Sequence, residues 1–318
     1  MTRVLVTGGS GFLGTSVVAG LLASDSIECV VSADIRKPCP GVRLPGLVYE
    51  RLDVTDAADL PALLRRHTID TVVHLASIVN PGKSTTPAQE FAVDVEGSRA
   101  VFAACIEVGV SRVVVSSSGA AYGYHADNSE WITESAPLRG NDDFSYSRHK
   151  RLVEEMLADL RETAPQLTQT VFRIGTILGP GVNNQVTALW DARRLLTIAG
   201  SESPFVFVCV DDVVRAMVRA ATGGPAGIFN LAGDGKLTVK EIARALGKKQ
   251  LVVPAWALAA ALWVGHALRL TPHGPAQVKF LHYRPVLDNT ALKESFGFTP
   301  LRTSREAFEG YLESRPQQ

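Results

Sequence analysis

Along the first two thirds of the chain, short apolar runs alternate with longer stretches whose apolar residues recur every three or four positions. The runs at 4–6, 27–33, 47–54, 71–76, 112–116, 171–174, 205–210 and 227–231 predict strands. Phe12, Leu13, Val17, Val18, Leu21 and Leu22 recur at helix-compatible spacing. Helical spacing also covers 55–67, 89–107 and 144–162, and Asp211 or Asp212 is placed to cap another helix. Strand and helix in strict alternation imply parallel strands joined by right-handed crossovers, an α/β doubly wound sheet. From Thr238 onward the pattern is helical and loop-rich, and it predicts no further strand. The expected organisation is a sheet domain over 1–175, with 205–235 returning to it. A smaller C-terminal lobe over 176–204 and 236–318 would then cover the carboxyl ends of the strands.

The first strand runs into Thr7-Gly8-Gly9-Ser10-Gly11-Phe12-Leu13-Gly14. Glycines at 8, 11 and 14 allow a tight turn, a close backbone approach to a pyrophosphate and close helix–strand packing, in that order. Amides at the following helix start would face the phosphates along a favourable dipole. Asp34 ends the second run, twenty residues past Gly14. There a carboxylate can accept hydrogen bonds from ribose hydroxyls and repel a 2′-phosphate, which favours NAD over NADP. Arg36 and Lys37 oppose that preference. Asp53 and Val54 end the third run where an adenine would lie. Ala76 and Ser77 are small enough to leave room beside the glycine turn.

Composition narrows the picture further. The 318 residues are 46% hydrophobic and 20% charged, with 32 basic and 32 acidic side chains. No basic stretch resembles a phosphate-tracking patch, so a nucleic-acid partner is not expected. Cys29, Cys39, Cys105 and Cys209 form no CxxC pair, and with seven scattered histidines they give no metal-site spacing. A reduced cytoplasmic setting fits this usage, and the chain opens on a strand with no signal-peptide pattern. The uncharged stretch 251–264 is too short for the roughly 18 residues of a membrane span. It predicts a helix buried or facing a partner, with peripheral membrane contact as the alternative.

Candidate chemistry lies in two places. Tyr146 and Lys150, four apart on a helix, share a face that Val153, Leu157 and Leu160 continue. An ammonium one turn away favours the phenolate of a side chain that otherwise titrates near 10, making Tyr146 a usable acid or base. Lys150 could also hold ribose hydroxyls. The fifth strand ends in Ser116-Ser117-Ser118-Gly119, where the Ser118 hydroxyl can reach a substrate oxygen.

Together Thr7 to Gly14, Asp34, Asp53-Val54, His74-Leu75-Ala76, Ser116 to Gly123, Tyr146-x-x-x-Lys150 and Val208 to Val213 resemble the extended short-chain dehydrogenase/reductase family, in its NAD-dependent epimerase/dehydratase branch. The resemblance implies a Rossmann sheet with a C-terminal substrate lobe and a catalytic triad of Ser118, Tyr146 and Lys150. It implies NAD contacts from Gly8, Gly11, Phe12, Leu13, Gly14, Asp34, Asp53, Val54, Leu75, Ala76, Ser116, Tyr146 and Lys150, with no metal. It further implies a homodimer through the helices near 90–107 and 145–162, with Leu152 and Met156 as candidate contacts.

Three departures bear on substrate. Asp94 stands where the family usually has Asn, which bears on a helix kink or a water site near the catalytic groups. Thr176 stands where sugar-nucleotide epimerases have Asn, and 200–205 lacks their pyrophosphate-binding Arg. Arg193, Arg194 and Arg284 are the remaining substitutes, each read as a solvated surface residue. The leading expectation is NAD-dependent exchange of a secondary alcohol and a ketone on a small or fairly apolar molecule. A UDP-glucose 4-epimerase-like enzyme with retained NAD is the alternative, and a non-catalytic NAD-sensing protein the second.

Overall fold

The computed structural model describes residues 1–36, 46–56, 58–82, 84–182, 184–268, 274 and 277–315. Lys37 and Cys39, discussed above, lie outside them. The first half contains β1 (Thr2–Thr7), α1 (Phe12–Leu22), β2 (Ile27–Asp34), β3 (Leu47–Arg51), α2 (Leu60–Arg66), β4 (Thr71–His74), α3 (Pro87–Phe91), α4 (Gly97–Val108), β5 (Arg112–Ser118) and α5 (Ser145–Thr163). Then follow β6 (Thr168–Ile174), β7 (Thr176–Leu178), α6 (Gln185–Leu189), β8 (Arg194–Ile198), β9 (Phe207–Cys209), α7 (Val210–Ala221) and β10 (Gly227–Leu231). The remainder is α8 (Val239–Ala245), β11 (Lys249–Val253), α9 (Ala255–Ala267), α10 (Gln277–His282), α11 (Thr290–Glu294) and α12 (Ser304–Ser314).

Seven strands form one parallel sheet in the order β10-β6-β5-β4-β1-β2-β3. The expected doubly wound sheet is therefore present. From β1 the chain moves outward through β2 and β3, then returns to β4 on the other side of β1. That reversal opens a crevice at the carboxyl ends of β1 and β4, where ligands bind in such sheets. The strands are apolar on both sides because both faces are covered. Leu5, Val31, Val72 and Val113 pack under α2, α4 and α5. Val4, Val6, Val30 and Val114 pack on the opposite face with residues of α1 and α7.

A third core lies outside the sheet. Trp190, 1% exposed, packs among Phe205, Phe207, Phe308 and Tyr311, with ring centroids 5.3–6.2 Å away. Edge-on aromatic contacts of this kind add about 0.5–1.5 kcal/mol each beyond simple burial.

Several boundaries differ from the sequence pattern, each for a local reason. The helix expected over 89–107 is broken into α3 and α4 by one π-helical turn, Ala92–Glu96, which turns Asp94 inward. The strand expected over 205–210 is only β9, and it pairs with β7 rather than with the main sheet. A strand was not expected after Thr238, yet β11 pairs in parallel with β8. Its half-exposed Lys-Gln-Leu-Val-Val lacks clean alternation, because only one neighbour covers it. Asp211 and Asp212 do not cap α7, whose N-cap is Cys209. The Asp212 carboxylate instead accepts the amides of Leu301 and Arg302, tying the segment before α12 to α7.

Candidate active site

The glycine turn is shaped by contact, not only by torsion. Gly8 has φ +71°, and a Cβ there would sit 2.8 Å from the Ala76 amide nitrogen at the end of β4. A Cβ on Gly14 would meet the Gly8 carbonyl oxygen at 2.1 Å. The turn thus leaves the start of α1 open at the floor of a cavity of about 960 Å³. Every residue expected to touch the cofactor lines this cavity: Gly8, Gly11, Phe12, Leu13, Gly14, Asp34, Asp53, Val54, Leu75, Ala76, Ser116, Tyr146 and Lys150. A cradle that a single methyl would fill, beside a helix start and an acid, fits an extended dinucleotide.

The two acids do different work. The Asp34 carboxylate, 8% exposed, accepts the amides of Ser10 at 3.0 Å and Arg36 at 2.9 Å, which fixes it at the cavity rim. The Arg36 side chain is largely exposed and reaches back to Asp34 at 3.4 Å. Asp53 accepts the Thr55 hydroxyl and amide, which hold its carboxyl below the ordinary range. It shapes the turn after β3 that presents Val54.

Ser118, Tyr146 and Lys150 also line this one cavity. β5 delivers Ser118, whose hydroxyl accepts the Ala120 amide and caps the short helical turn Gly119–Tyr122. α5 delivers the other two. Its first turn is pinned when Ser147 donates to the Ala120 carbonyl at 2.6 Å. Lys150 donates from Nζ to the Ser116 carbonyl at 2.9 Å and lies 5.6 Å from the Tyr146 ring centre. One turn further, Glu154 receives Arg173 of β6 and Ser117 of β5, all buried, so helix and strand keep one register.

Behind Lys150 lies a polar cluster that the sequence pattern did not reveal. Asp94, 4% exposed, accepts the Ser77 hydroxyl at 2.9 Å, the Ile78 amide at 2.8 Å and His149 Nδ1 at 2.9 Å. His74 bridges the Thr7 and Ser98 hydroxyls at 2.7 and 2.9 Å. Burial, then the Lys150 charge, push its pKa down to about 3, so its imidazole is neutral at working pH. Asp94 and His149 are 55 positions apart, so no local spacing links them.

The outer part of the cavity has apolar walls from Tyr124, Phe144, Phe205, Val206, Phe280 and Leu287, with Thr176 and Pro204 among the lining residues. Arg284 lies among them and is not the solvated residue expected. Its guanidinium stacks 3.8 Å from the Phe205 ring centre, and Nη1 donates to the Ser203 carbonyl and hydroxyl. Its Nε is buried with no partner among the described residues. Burial pulls its pKa down to about 9, which leaves it cationic at neutral pH. Arg193 and Arg194 are exposed and do not line the cavity. Among the described residues no group of three His, Cys, Asp or Glu side chains could hold a metal ion.

Residues 4–232 match the model of the NAD dependent epimerase/dehydratase family. An uncharacterized protein of Mycobacterium tuberculosis is 27% identical over 98% of this chain and 84% of its own. The UDP-glucose 4-epimerase of Neisseria gonorrhoeae is 27% identical over 76% of this chain and 81% of its own. The crystal structure of Thermus thermophilus UDP-glucose 4-epimerase in complex with NAD superposes with a TM-score of 0.73, at 25% identity over 98% of both chains.

Proposed function

Because this chain belongs to the NAD dependent epimerase/dehydratase family, an enzyme family, we propose that it catalyses hydride exchange at a secondary alcohol/ketone carbon through Ser118, Tyr146 and Lys150. The observation that supports this reading is that all three line the glycine-floored cavity. NAD, when bound, supplies the hydride acceptor and donor. The Ser118 hydroxyl holds the substrate oxygen. The Tyr146 phenol takes the proton from that oxygen and returns it in the reverse direction. Lys150, anchored on the Ser116 carbonyl, holds the nicotinamide ribose and keeps positive charge beside Tyr146. Asp34, held at the rim by two amides, takes the adenosine ribose, which favours NAD over NADP. In this reading 1–175 with 205–235 binds the cofactor, and 176–204 with 236–318 forms the substrate lobe. Two copies pair through α4 and α5, and the protein works in the cytoplasm.

For the substrate we propose an apolar body carrying one anionic group, matched to the aromatic walls and to the charge of the Arg284 guanidinium among them. That same arginine favours a second reading, epimerisation of a sugar nucleotide with NAD retained. Net NADH formation separates the two. Purified protein given NAD and a panel of secondary alcohols with and without carboxylate or phosphate should accumulate NADH. Conversion of UDP-sugars with no net NADH from any alcohol would transfer the assignment to the epimerase. On either reading Tyr146→Phe should lower kcat by about 10²–10⁴-fold, the usual worth of a positioned proton donor. An unchanged kcat would remove the triad.

A further inference from the structure

The helix α9 is apolar all round, yet none of its described side chains is buried. A helix of that composition ordinarily lies in a core or in lipid, so its exposure calls for a partner. Of the exposed large apolar residues, Phe12, Ile35 and Val79 line the cavity, and Met1, Trp131 and Leu301 come from separate elements. The other six, Leu251, Val252, Trp256, Trp263, Val264 and Leu268, fall in one continuous stretch, with Trp256 76% and Trp263 65% exposed.

Charge identifies the partner. Lys248 and Lys249 lead into this stretch, and Arg194 sits in register beside Lys249. Arg193 precedes it, and Lys240 and Arg244 lie on α8, the helix just upstream. From 242 to 268 there is no acidic residue. The Glu241 carboxylate is already taken by the Thr238 cap and Arg305. A second copy paired through this same stretch would bring cations and no acid to meet them. An anionic bilayer surface offers both missing components, phosphates for the cations and an apolar layer for the tryptophans. Thirteen helical residues extend about 20 Å, short of the roughly 30 Å hydrocarbon core, so the helix lies on the membrane and does not cross it. Among the described residues no helix is long and apolar enough to span.

We propose that residues 248–268 dock the protein on an anionic lipid surface, with α9 in the headgroup layer and Lys249 against lipid phosphates. The proposal is independent of what the active site turns over. The test is co-sedimentation of the full chain with vesicles of equal parts phosphatidylcholine and phosphatidylglycerol, against phosphatidylcholine alone. The mixed vesicles should carry down the protein, high salt should release it, and tryptophan emission should shift to the blue on binding. Lys249→Ala should weaken partitioning about fivefold, and Trp256→Ser with Trp263→Ser about tenfold or more. These side chains lie outside the cavity, so the variants should keep the wild-type melting temperature and NAD binding. Protein left in the supernatant with mixed vesicles would overturn the proposal. So would undiminished vesicle binding by the double tryptophan variant. A solution dimer that this variant dissociates, without vesicle binding by wild type, would assign the face to a second copy instead.

Discussion

The floor and the roof of the cavity are built on different principles. The floor is backbone: the glycine turn, the start of α1 and the ends of β1, β4 and β5, set in a sheet covered on both faces. The roof is side chain: Phe205 from one segment, Phe280 and Arg284 from another, backed by the Trp190 core. A backbone-built surface suits the invariant part of a ligand, since any side chain intruding on it does harm. A surface built from side chains can be exchanged residue by residue, and it can be tuned to one substrate.

The sharpest way to break this contrast is to add one methyl to the floor. Gly14→Ala places a Cβ 2.1 Å from the Gly8 carbonyl oxygen, and backbone cannot yield as a flexible side chain can. Overpacking at this level costs about 1–3 kcal/mol. NAD affinity, followed by titration calorimetry, should fall by up to about 100-fold. Retention of full affinity would mean that the turn does not hold the pyrophosphate. The roof should respond differently. Arg284→Met keeps an apolar side chain between Phe205 and Phe280 and removes the charge, together with the two Nη1 bonds to Ser203. A charge-assisted hydrogen bond is worth about 1.5–3 kcal/mol. KM for an anionic substrate should therefore rise about 10–100-fold, with NAD affinity and turnover of neutral alcohols unchanged. An equal loss on neutral substrates would make Arg284 a structural residue.

The same contrast explains what could be read from the sequence. Gly8, Gly11 and Gly14 are legible because backbone geometry imposes a fixed local spacing, and Asp34 because it ends a strand at a set distance from them. Tyr146 and Lys150 are legible through helical periodicity. Arg284 left no such mark, since what pulls it inward is Phe205 and Ser203, about eighty positions earlier. Periodicity over 89–107 predicts one unbroken helix, and only the family position of Asp94 points to a kink there; its partners, His149 and the Ser77–Ile78 turn, are too distant in sequence to be read from it. The strand β11 was missed because it has one neighbour and little burial, so it carries neither the alternation of a half-covered strand nor the continuous run of a central one.

The smallest predicted effect probes whether the floor tolerates a change of charge as well as it resists a change of shape. Asp94 ties the Ser77–Ile78 segment at the cavity to His149, the residue before Lys150. In Asp94→Asn the side-chain oxygen can still accept from Ser77 and Ile78. The new amide can donate to His149 Nδ1 if the imidazole carries its proton on Nε2, which is buried and without a partner among the described residues. All three links then survive with the formal charge removed, and kcat should stay within about threefold of wild type, the scale of one modest hydrogen bond. Asp94→Ala leaves the Ile78 amide and His149 unpaired in a buried place and should cost about tenfold or more in kcat. If the asparagine variant loses as much as the alanine variant, the negative charge itself sets the field at Lys150. The pH profile of kcat should then shift in Asp94→Asn and not merely fall in amplitude.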